Sequence, residues 1–410
     1  MMVRFLFCFL AWGLSFSSML HADDWPVFRG PTQGHATGSL PLEWSEEKNI
    51  VWSAEIPGKG WSSPVVAASK VALTTAADPD DGDGYSLRCL YLNAQTGEIL
   101  WNVEVFKQPS DAPAIHNKNS HASPTPIIAG NRIIVHFGHQ GTAALDTTGK
   151  ILWRNQEHRY KPVHGNGGTP LLVQDVVIFS CDGDDKQMVV GLDVSTGKTR
   201  WKTDRNASPG RLFSFGTPLA IKVKDQVQVV SAGSDVVMSL DPLTGQELWR
   251  FKYTGYSQTP QPVAGNGLIY VCTGFDTPKL LAIRTDGKGD VTKTHLAWEA
   301  TRNMPLTPTP VLEGNTLHVL SDNGILSALD AATGQYRGQQ RLNGNFSASP
   351  LLANQHLYCL NENGTCYVIR TGEKYQEKAK NTLPGQTLAS PAASQGMLFI
   401  RTENMLYGIK

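Results

Sequence analysis

The sequence predicts an all-β fold, an eight-bladed β-propeller of four-stranded antiparallel blades whose ring is closed by the N-terminal strand joining the last blade. Three observations favour this fold: a Ser/Thr-Pro phrase that returns at regular intervals, a tryptophan that returns in phase with it, and chain ends that complement each other. A period in the forties with strand-like sequence between copies is typical of radial repeats.

The Ser/Thr-Pro phrase sets the number of blades. Its copies at the repeat interval are Ser63-Pro64, Ser123-Pro124, Thr169-Pro170, Thr217-Pro218, Thr309-Pro310, Ser349-Pro350 and Ser390-Pro391. Gln261-Pro262 fits between the fourth and fifth copies as a variant, and successive prolines then lie 40 to 60 residues apart. Eight copies predict eight blades.

The tryptophan phrase marks the outer strand of each repeat. In most repeats an Asp or Asn opens a turn that a Gly closes, as in 193–197 before Trp201. The polar side chain caps backbone N–H groups, and the Gly accepts a positive φ. The repeat at 330–334 keeps this turn, but Gly338 stands where the Trp would be. A large flat side chain on the outer strand can fill space between sheets. The six tryptophans are Trp52, Trp101, Trp153, Trp201, Trp249 and Trp298.

The two ends of the chain predict how the ring closes. Residues 49–56 read as an outer strand with no inner strands ahead of them, whereas 390–409 hold inner strands without an outer one. The first strand should therefore complete the last blade, which leaves no long free edge. We expect residues 49–410 to form one propeller and residues 23–48 to form an extension that packs on the ring.

The N-terminus reads as an export signal over residues 1–22. Arg4 supplies a positive charge, an apolar run spans 5–16, and Ala22 precedes the expected cleavage site. Cys8 lies inside the apolar run and not at the junction, so we expect no lipid anchor. No later segment is long and apolar enough to span a membrane. We expect a soluble, monomeric protein in the periplasm or another extracytoplasmic compartment.

Charge and cysteine content narrow the function classes. The chain has 36 basic and 36 acidic residues, and this balance excludes the basic field that nucleic acids or anionic membranes require. Five cysteines remain after cleavage, an odd number without a regular pattern, so we expect free thiols. Phosphate-loop, nucleophile-elbow and zinc-protease motifs are absent from the sequence.

The loops just ahead of the innermost strands should surround one mouth of the channel, and there the repeats differ most. Aromatic, amide and basic groups that converge on one cavity could bind a small molecule, a peptide or a protein. The alternative is that these loop residues are simply solvated. The candidate ligand-binding residues are Trp61, His121, His164, Asn166, Arg211, Tyr256, Gln258, Arg302 and Phe346.

Two groups of residues invite a metal hypothesis. His116, His121 and His164 come from adjacent blades, but they lack the tight spacing of a metal site, and structural or solvated histidines are favoured. The acidic segment 78–84 resembles a calcium loop, yet Cys89 occupies the twelfth position, where a Glu is needed. We therefore predict no metal site and interpret the segment as a hairpin tip.

Taken together, the phrases resemble the pyrroloquinoline-quinone-type propeller repeats, which carry a Thr-Gly turn and a following Trp in each blade. This superfamily includes quinoprotein alcohol dehydrogenases and a non-enzymatic outer-membrane assembly lipoprotein. The segments 25–31, 44–45, 164–168 and 179–183 resemble a third group, exported bacterial propellers named for the quinone repeat.

The resemblance implies two functions of different class. The dehydrogenases use adjacent cysteines, an acidic calcium or lanthanide site and an Asp base, and this sequence has no Cys-Cys pair. We therefore expect no catalytic residues and a non-catalytic platform that binds a ligand or protein through the channel-mouth loops, without a cofactor. The alternative is an oxidoreductase that uses pyrroloquinoline quinone with calcium to oxidise alcohols or sugars.

Overall fold

The computed structural model describes residues 23–79, 82–207 and 210–410, which form eight antiparallel sheets. The predicted eight-bladed propeller is confirmed. The predicted signal peptide, 1–22, lies outside the described residues and stays a prediction. Helical structure in the described residues is limited to one 3-10 turn, Gly138–Gln140.

In each of the first four blades the strands run in chain order from the innermost to the outermost. Blade 1 has Val65–Ala67, Lys70–Ala77, Tyr85–Asn93 and Ile99–Gln108. Blade 2 has Ile127–Ala129, Arg132–His136, Thr142–Asp146 and Ile151–Asn155. Blade 3 has Leu171–Val173, Val176–Asp182, Gln187–Asp193 and Thr199–Asp204. Blade 4 has Leu219–Val223, Gln226–Gly233, Val236–Leu240 and Glu247–Lys252, with Gly289–Asp290 added in parallel outside it.

The last four blades follow the same plan. Blade 5 has Val263–Gly265, Leu268–Cys272, Leu280–Arg284 and Leu296–Ala300. Blade 6 has Val311–Glu313, Thr316–Leu320, Ile325–Asp330 and Tyr336–Arg341. Blade 7 has Leu351–Ala353, His356–Leu360, Thr365–Arg370 and Gln376–Thr382, with His35–Ala36 added in parallel inside it. Blade 8 has Ala392–Ser394, Met397–Arg401, Met405–Ile409 and the N-terminal strand Ile50–Glu55.

A ring of hydroxyl groups ties the blades together at the channel axis. Just before most innermost strands, a backbone N–H donates to the Ser or Thr oxygen of the next blade, over 2.9 to 3.1 Å. At the position of blade 5, Gln261 replaces the hydroxyl, and its side-chain amide donates to the Pro218 carbonyl at 3.0 Å. We call the seven hydroxyl side chains the hydroxyl ring: Ser63, Thr125, Thr169, Thr217, Thr309, Ser349 and Ser390.

The hydroxyl ring corrects the predicted register of blade 2. The sequence there reads Ser-Pro-Thr-Pro, and the structure places Thr125-Pro126, not Ser123-Pro124, before the innermost strand. Ser123 lies one dipeptide upstream and hydrogen-bonds to Asn119 at 2.5 Å. Ser123-Pro124 and Thr125-Pro126 both match the Ser/Thr-Pro phrase. They are distinguished only by the backbone N–H of Ser63 in blade 1, which donates to Thr125. The Gln261-Pro262 variant is confirmed.

Each tryptophan of the repeat, with one exception, docks on the turn of the next blade. The indole N–H of Trp201 donates to the Pro242 carbonyl at 3.0 Å, and its ring lies against Gly245. The exception, Trp249, donates to Gln228 at 3.1 Å. The turns are capped as predicted, for example by the Asp193 carboxylate on the N–H of Thr196 at 2.8 Å. The other tryptophans that bond to the next turn, at 2.9 to 3.0 Å, are Trp52, Trp101, Trp153 and Trp298.

The ring closes where the two chain ends meet in blade 8. Ile50–Glu55 pairs antiparallel with Met405–Ile409 and sets Trp52 opposite Gly408. Arg401, which is fully buried, donates to the carbonyl of Thr74 at 2.8 Å and to Ser62, and so connects blade 8 to blade 1. The predicted closure is confirmed.

Residues 25–36 run along the innermost strands inside the channel, whereas residues 40–44 cross blade 7 towards its outermost strand, where Leu42 and Trp44 bond to Asn381. Trp25 pairs with Val66 of blade 1, and the carbonyl of Pro26 accepts from Ile128 of blade 2. Farther along, Gln33 bonds the backbone of Ala264 in blade 5, and His35–Ala36 pairs with blade 7. The segment thus supplies hydrogen-bond partners to backbone groups at the strand edges, which would otherwise face an open channel. The boundary predicted at residue 48 stays a prediction.

The five described cysteines are free and fully buried. Burial raises their pKa values, that of Cys359 to about 12, so these thiols stay protonated near neutral pH. They pack as small core side chains.

We predict that Gly408→Ala weakens the closure of the ring. A Cβ at Gly408 would lie 2.3 Å from Cε2 of Trp52, so the indole must shift off its docking site. Overpacking of this kind costs about 1–3 kcal/mol. Urea unfolding followed by tryptophan fluorescence should show that loss in the free energy of unfolding.

Gly338→Ala is the matched control, because Gly338 lies in the outer strand of blade 6, one of the two blades whose outer strand has no tryptophan. A Cβ there has no atom within 4 Å, so stability should be unchanged or rise by about 0.5–1 kcal/mol. Equal losses in both variants would contradict the role assigned to the Trp52 contact.

We predict that acid destabilises the propeller through His136. This side chain is 1% exposed between blades 2 and 3, with its ring 4.5 Å from that of Phe179. Burial lowers the pKa of His136 to about 3, against about 6.5 in an unfolded chain. Below pH 6.5 the unfolded state binds the proton and the folded state does not, so stability falls as the pH falls from about 6.5 towards 3.

His136→Gln should therefore reduce the loss of unfolding free energy between pH 7.5 and pH 5 by about 2 kcal/mol. The measurement is urea unfolding at both pH values. His116→Gln, at an exposed position, serves as the control and should keep the wild-type difference. If His136→Gln also keeps the wild-type difference between the two pH values, His136 is not the group that links stability to pH.

Candidate functional site

A cavity of about 370 Å³ occupies the end of the channel from which the innermost strands start. The hydroxyl ring lines it, together with Phe28 from the N-terminal segment. Residues 25–36 cross the channel from blades 1 and 2 to blades 5 and 7, so this segment and its Phe28 form the base of the cavity. The rigid ring holds the lining groups at fixed positions.

One side of the cavity is an aromatic wall contributed by blades 3 to 5. Phe213 contacts Tyr256 edge-on, with ring centroids 5.6 Å apart, and His164 in the same way at 5.4 Å. Phe215 lies 6.1 Å from Phe213, and Phe275 lies 6.4 Å from Tyr256. Phe275 is 45% exposed at the rim, so the wall is accessible from solvent.

Basic groups stand at the rim, with their carboxylate partners outside the cavity. The Arg211 guanidinium lies 4.4 Å from the centre of the Tyr256 ring and 3.9 Å from the Asp276 carboxylate. Across the mouth, Lys118 pairs with Glu362 at 2.7 Å. Glu362 also accepts from the Ser347 hydroxyl at 2.6 Å, and this network holds the blade 1–2 loop against blade 7.

Four of the nine candidate residues line the cavity: Trp61, His164, Arg211 and Tyr256. Trp61 is 5% exposed, and its backbone N–H donates to Ala122 and Ser120 between blades 1 and 2. Arg211 is exposed, whereas His164 and Tyr256 form part of the aromatic wall.

The other five candidates are not among the lining residues and make contacts within or beneath the loops. His121 bonds to Gln108 at 2.8 Å and stacks on Tyr85. Arg302 lies 4.2 Å from the Tyr336 ring, away from the mouth. The remaining three are buried: Asn166 bonds to His139, Gln258 bonds to the Thr273 carbonyl, and Phe346 packs between blades 6 and 7.

Sequence reasoning missed Phe28, Phe275 and the hydroxyl ring as cavity residues. Phe28 lies outside the repeats, so no periodic pattern marks it. The hydroxyl ring corresponds to the most regular phrase in the sequence, and regularity by itself indicates packing. Because the hydroxyl ring lies at the channel axis, its side chains both pack between blades and line the cavity.

The cavity does not fit a calcium-bound quinone. Calcium takes about six to eight oxygen ligands, several of them carboxylates, and the described lining contains no Asp or Glu. The His116 and His164 rings pack edge to face, with centroids 5.6 Å apart, whereas His121 bonds to Gln108 instead. Within the described residues, no three His, Cys, Asp or Glu side chains cluster as metal ligands. Part of the acidic segment 78–84 lies outside those residues.

Known sequences resemble this chain over much of its length. A family model described as outer membrane protein assembly factor BamB matches residues 46–214 and 287–402. A curated protein of that name from Moranella endobia (strain PCIT) is 26% identical over 193 residues, 43% of this chain and 48% of that protein. The chain therefore spans about half the length of the curated relative it matches.

Solved structures show the same fold at low sequence identity. BamB from Moraxella catarrhalis superposes with a TM-score of 0.61 at 15% identity, over 88% of this chain and 96% of that one. Quinohemoprotein alcohol dehydrogenase from Comamonas testosteroni gives 0.69 at 10% identity, over 94% and 80%. These likenesses establish the fold alone. In the described residues, no helix has the length and apolar character of a membrane span.

The resemblance to quinone-type repeat propellers is confirmed by the family match and by these structures. Because the family model covers more than half of the sequence, the chain belongs to the family of the outer membrane protein assembly factor BamB.

Proposed function

We propose that this protein is an exported, non-catalytic platform that binds a partner protein through the mouth of its channel. The observation that carries the proposal is the cavity, whose aromatic wall and basic rim are presented on a rigid ring. Aromatic and arginine side chains at the centre of a concave surface supply much of the binding energy in protein interfaces. Membership of a family named for an assembly factor supports a partner that is a protein.

The rim suits recognition because its charged pairs are exposed. Arg211 and Asp276 have side chains that are 57% and 70% exposed, and such pairs contribute little to stability. They are therefore available to a partner at little cost to the fold. The blades are held together by the hydroxyl ring and the docked tryptophans. Neither of these makes use of the charged residues at the rim.

Compartment and oligomeric state belong to the same proposal. The predicted signal peptide supports a location outside the cytoplasm, and ring closure supports a protomer that needs no second copy to complete its sheets. We propose a monomer in the periplasm or a comparable compartment.

We predict that the double substitution Phe275→Ser and Arg211→Ser lowers partner capture at least tenfold while the thermal midpoint stays close to that of the wild type. It removes an exposed aromatic group and a rim cation, whose loss costs roughly 1–4 kcal/mol at an interface hot spot. Partner capture is measured by placing a photo-cross-linking residue at Tyr256 of the full chain in cells of its source organism.

The matched control is Leu243→Ser, which removes an apolar side chain that is 43% exposed on a blade 4 turn away from the mouth. This variant should retain wild-type capture. If it loses capture as the double variant does, or if the double variant loses nothing, then the mouth is not the binding face.

The oxidoreductase alternative has its own test. We predict that calcium adds nothing to any thermal shift produced by pyrroloquinoline quinone, because the described cavity lining supplies no carboxylate to hold the ion. Dye-coupled oxidation of alcohols and sugars should stay at the buffer rate. A calcium-dependent shift accompanied by oxidation would establish the enzyme and overturn the non-catalytic assignment.

A further inference from the structure

The cavity holds many hydrogen-bond donors that lack an acceptor. Each oxygen of the hydroxyl ring accepts an N–H from a neighbouring blade. Within the described chain, none of the seven hydroxyls donates its own proton to a protein acceptor. A hydroxyl that accepts on one lone pair still has its O–H to donate. All seven side chains line the cavity, so their protons are available there.

Two further donors adjoin the ring. The indole N–H of Trp61 is buried without an acceptor in the described structure. Arg29 does not itself line the cavity; it is 2% exposed and donates from Nη2 to the Pro310 carbonyl at 2.8 Å, one residue past Thr309 of the hydroxyl ring, so it adds a positive charge behind the lining. Its Nε and Nη1 have no partner among the described residues. Although burial lowers the pKa of Arg29 to about 9, the group remains charged at neutral pH.

Nothing in the described lining balances these donors. It contains no Asp or Glu, and the rim carboxylates of Asp276 and Glu362 are already paired. An acceptor that enters the cavity can take the place of water on these O–H groups. The complementary guest therefore carries acceptors and negative charge at its inner end. The aromatic wall requires that the adjoining part be apolar or aromatic.

The shape of the cavity restricts how such a guest enters. About 370 Å³ is enough for one or two residues and not for a folded surface. Because Phe28 and the N-terminal segment lie across the base, an internal loop would have to enter and leave by the same mouth. A chain end, in contrast, passes a single strand of polypeptide through the mouth. Of the two chain ends, only the C-terminus bears a carboxylate.

We propose that the cavity receives the C-terminus of a partner polypeptide, with the terminal carboxylate on the hydroxyl ring and an apolar or aromatic last side chain against the aromatic wall. This inference rests on the proposed function and narrows it to a kind of partner segment. It assigns the hydroxyl ring a recognition role in addition to its role in holding the blades together.

The first test compares two probes on the wild-type chain by isothermal titration calorimetry. The tripeptide Ala-Ala-Phe with a free carboxylate should bind at least tenfold tighter than the same peptide amidated at its C-terminus, since a charged hydrogen-bond acceptor is lost on amidation. Equal affinities, or no binding of the free acid, would overturn the proposal. So would 3-phenylpropionate binding as tightly as the free tripeptide, because the guest would then be a small aromatic acid.

The second test uses a matched pair of substitutions in the hydroxyl ring. Thr309→Ser keeps the hydroxyl and should keep the preference for the acid, whereas Thr309→Val removes it at nearly the same volume and should reduce that preference several-fold. Val also leaves the Gln261 N–H without its acceptor. Arg29→Met therefore provides a second variant: it removes the positive charge behind the lining, so acid affinity should fall several-fold and amide affinity should not change. If the folded variants keep the wild-type ratio, the proposal is wrong.

Failure of this inference and failure of the platform proposal give different results. Loss of the acid preference with intact cross-linking at the mouth would leave a platform that binds by another chemistry. Absence of cross-linking with a retained acid preference would contradict the platform itself and leave a carboxylate-binding cavity.

Discussion

Eight innermost strands begin at the channel axis, and the backbone N–H groups just ahead of them need acceptors there. In an ordinary sheet the neighbouring strand supplies one, but the innermost strands of different blades do not pair. The hydroxyl ring solves the problem by placing a short Ser or Thr oxygen on the next blade, at 2.9 to 3.1 Å from the N–H nitrogen. A proline directly after it needs no such acceptor, since it has no N–H. The remaining blade-to-blade contacts depend on this spacing.

Farther from the axis, the indoles set the distance between blades. Each docked tryptophan packs on the next blade's turn, as Trp153 does against Gly197. The cross-strand partner of Trp52 is Gly408 and that of Trp201 is Gly191, so the strand beside each of these rings also lacks a side chain. Blade 6 carries Gly338 in the outer strand in place of the indole, and at that interface Phe346 and Tyr367 fill the core between blades 6 and 7.

The repeated parts of this structure could be predicted from the sequence, because a physical requirement met in every blade leaves a copy of its solution in every repeat. Where two copies compete, as in the 123–126 stretch, the sequence cannot choose, since the deciding N–H belongs to Ser63 of another blade. The cavity was predictable only in part. Trp61 and Arg211 line it, but Asn166 and Phe346 turn inward to support loops whose bends leave no periodic trace. Phe28 was missed because it comes from the non-repeating segment.

The same constraint explains why recognition at the axis needs no dedicated residues. A hydroxyl that accepts a backbone N–H is held in position by that bond and still has its own proton to donate at the cavity it lines. The N-terminal segment completes the arrangement, because it pairs the strand edges, lies across the base and places Arg29 behind the lining without a carboxylate partner in the described structure. Arg401 is buried in the same way and also has guanidinium nitrogens without a partner among the described residues, yet it connects blade 8 to blade 1, so burial alone does not distinguish the two arginines. What distinguishes Arg29 is its bond to the Pro310 carbonyl, which sets its charge next to the hydroxyl ring.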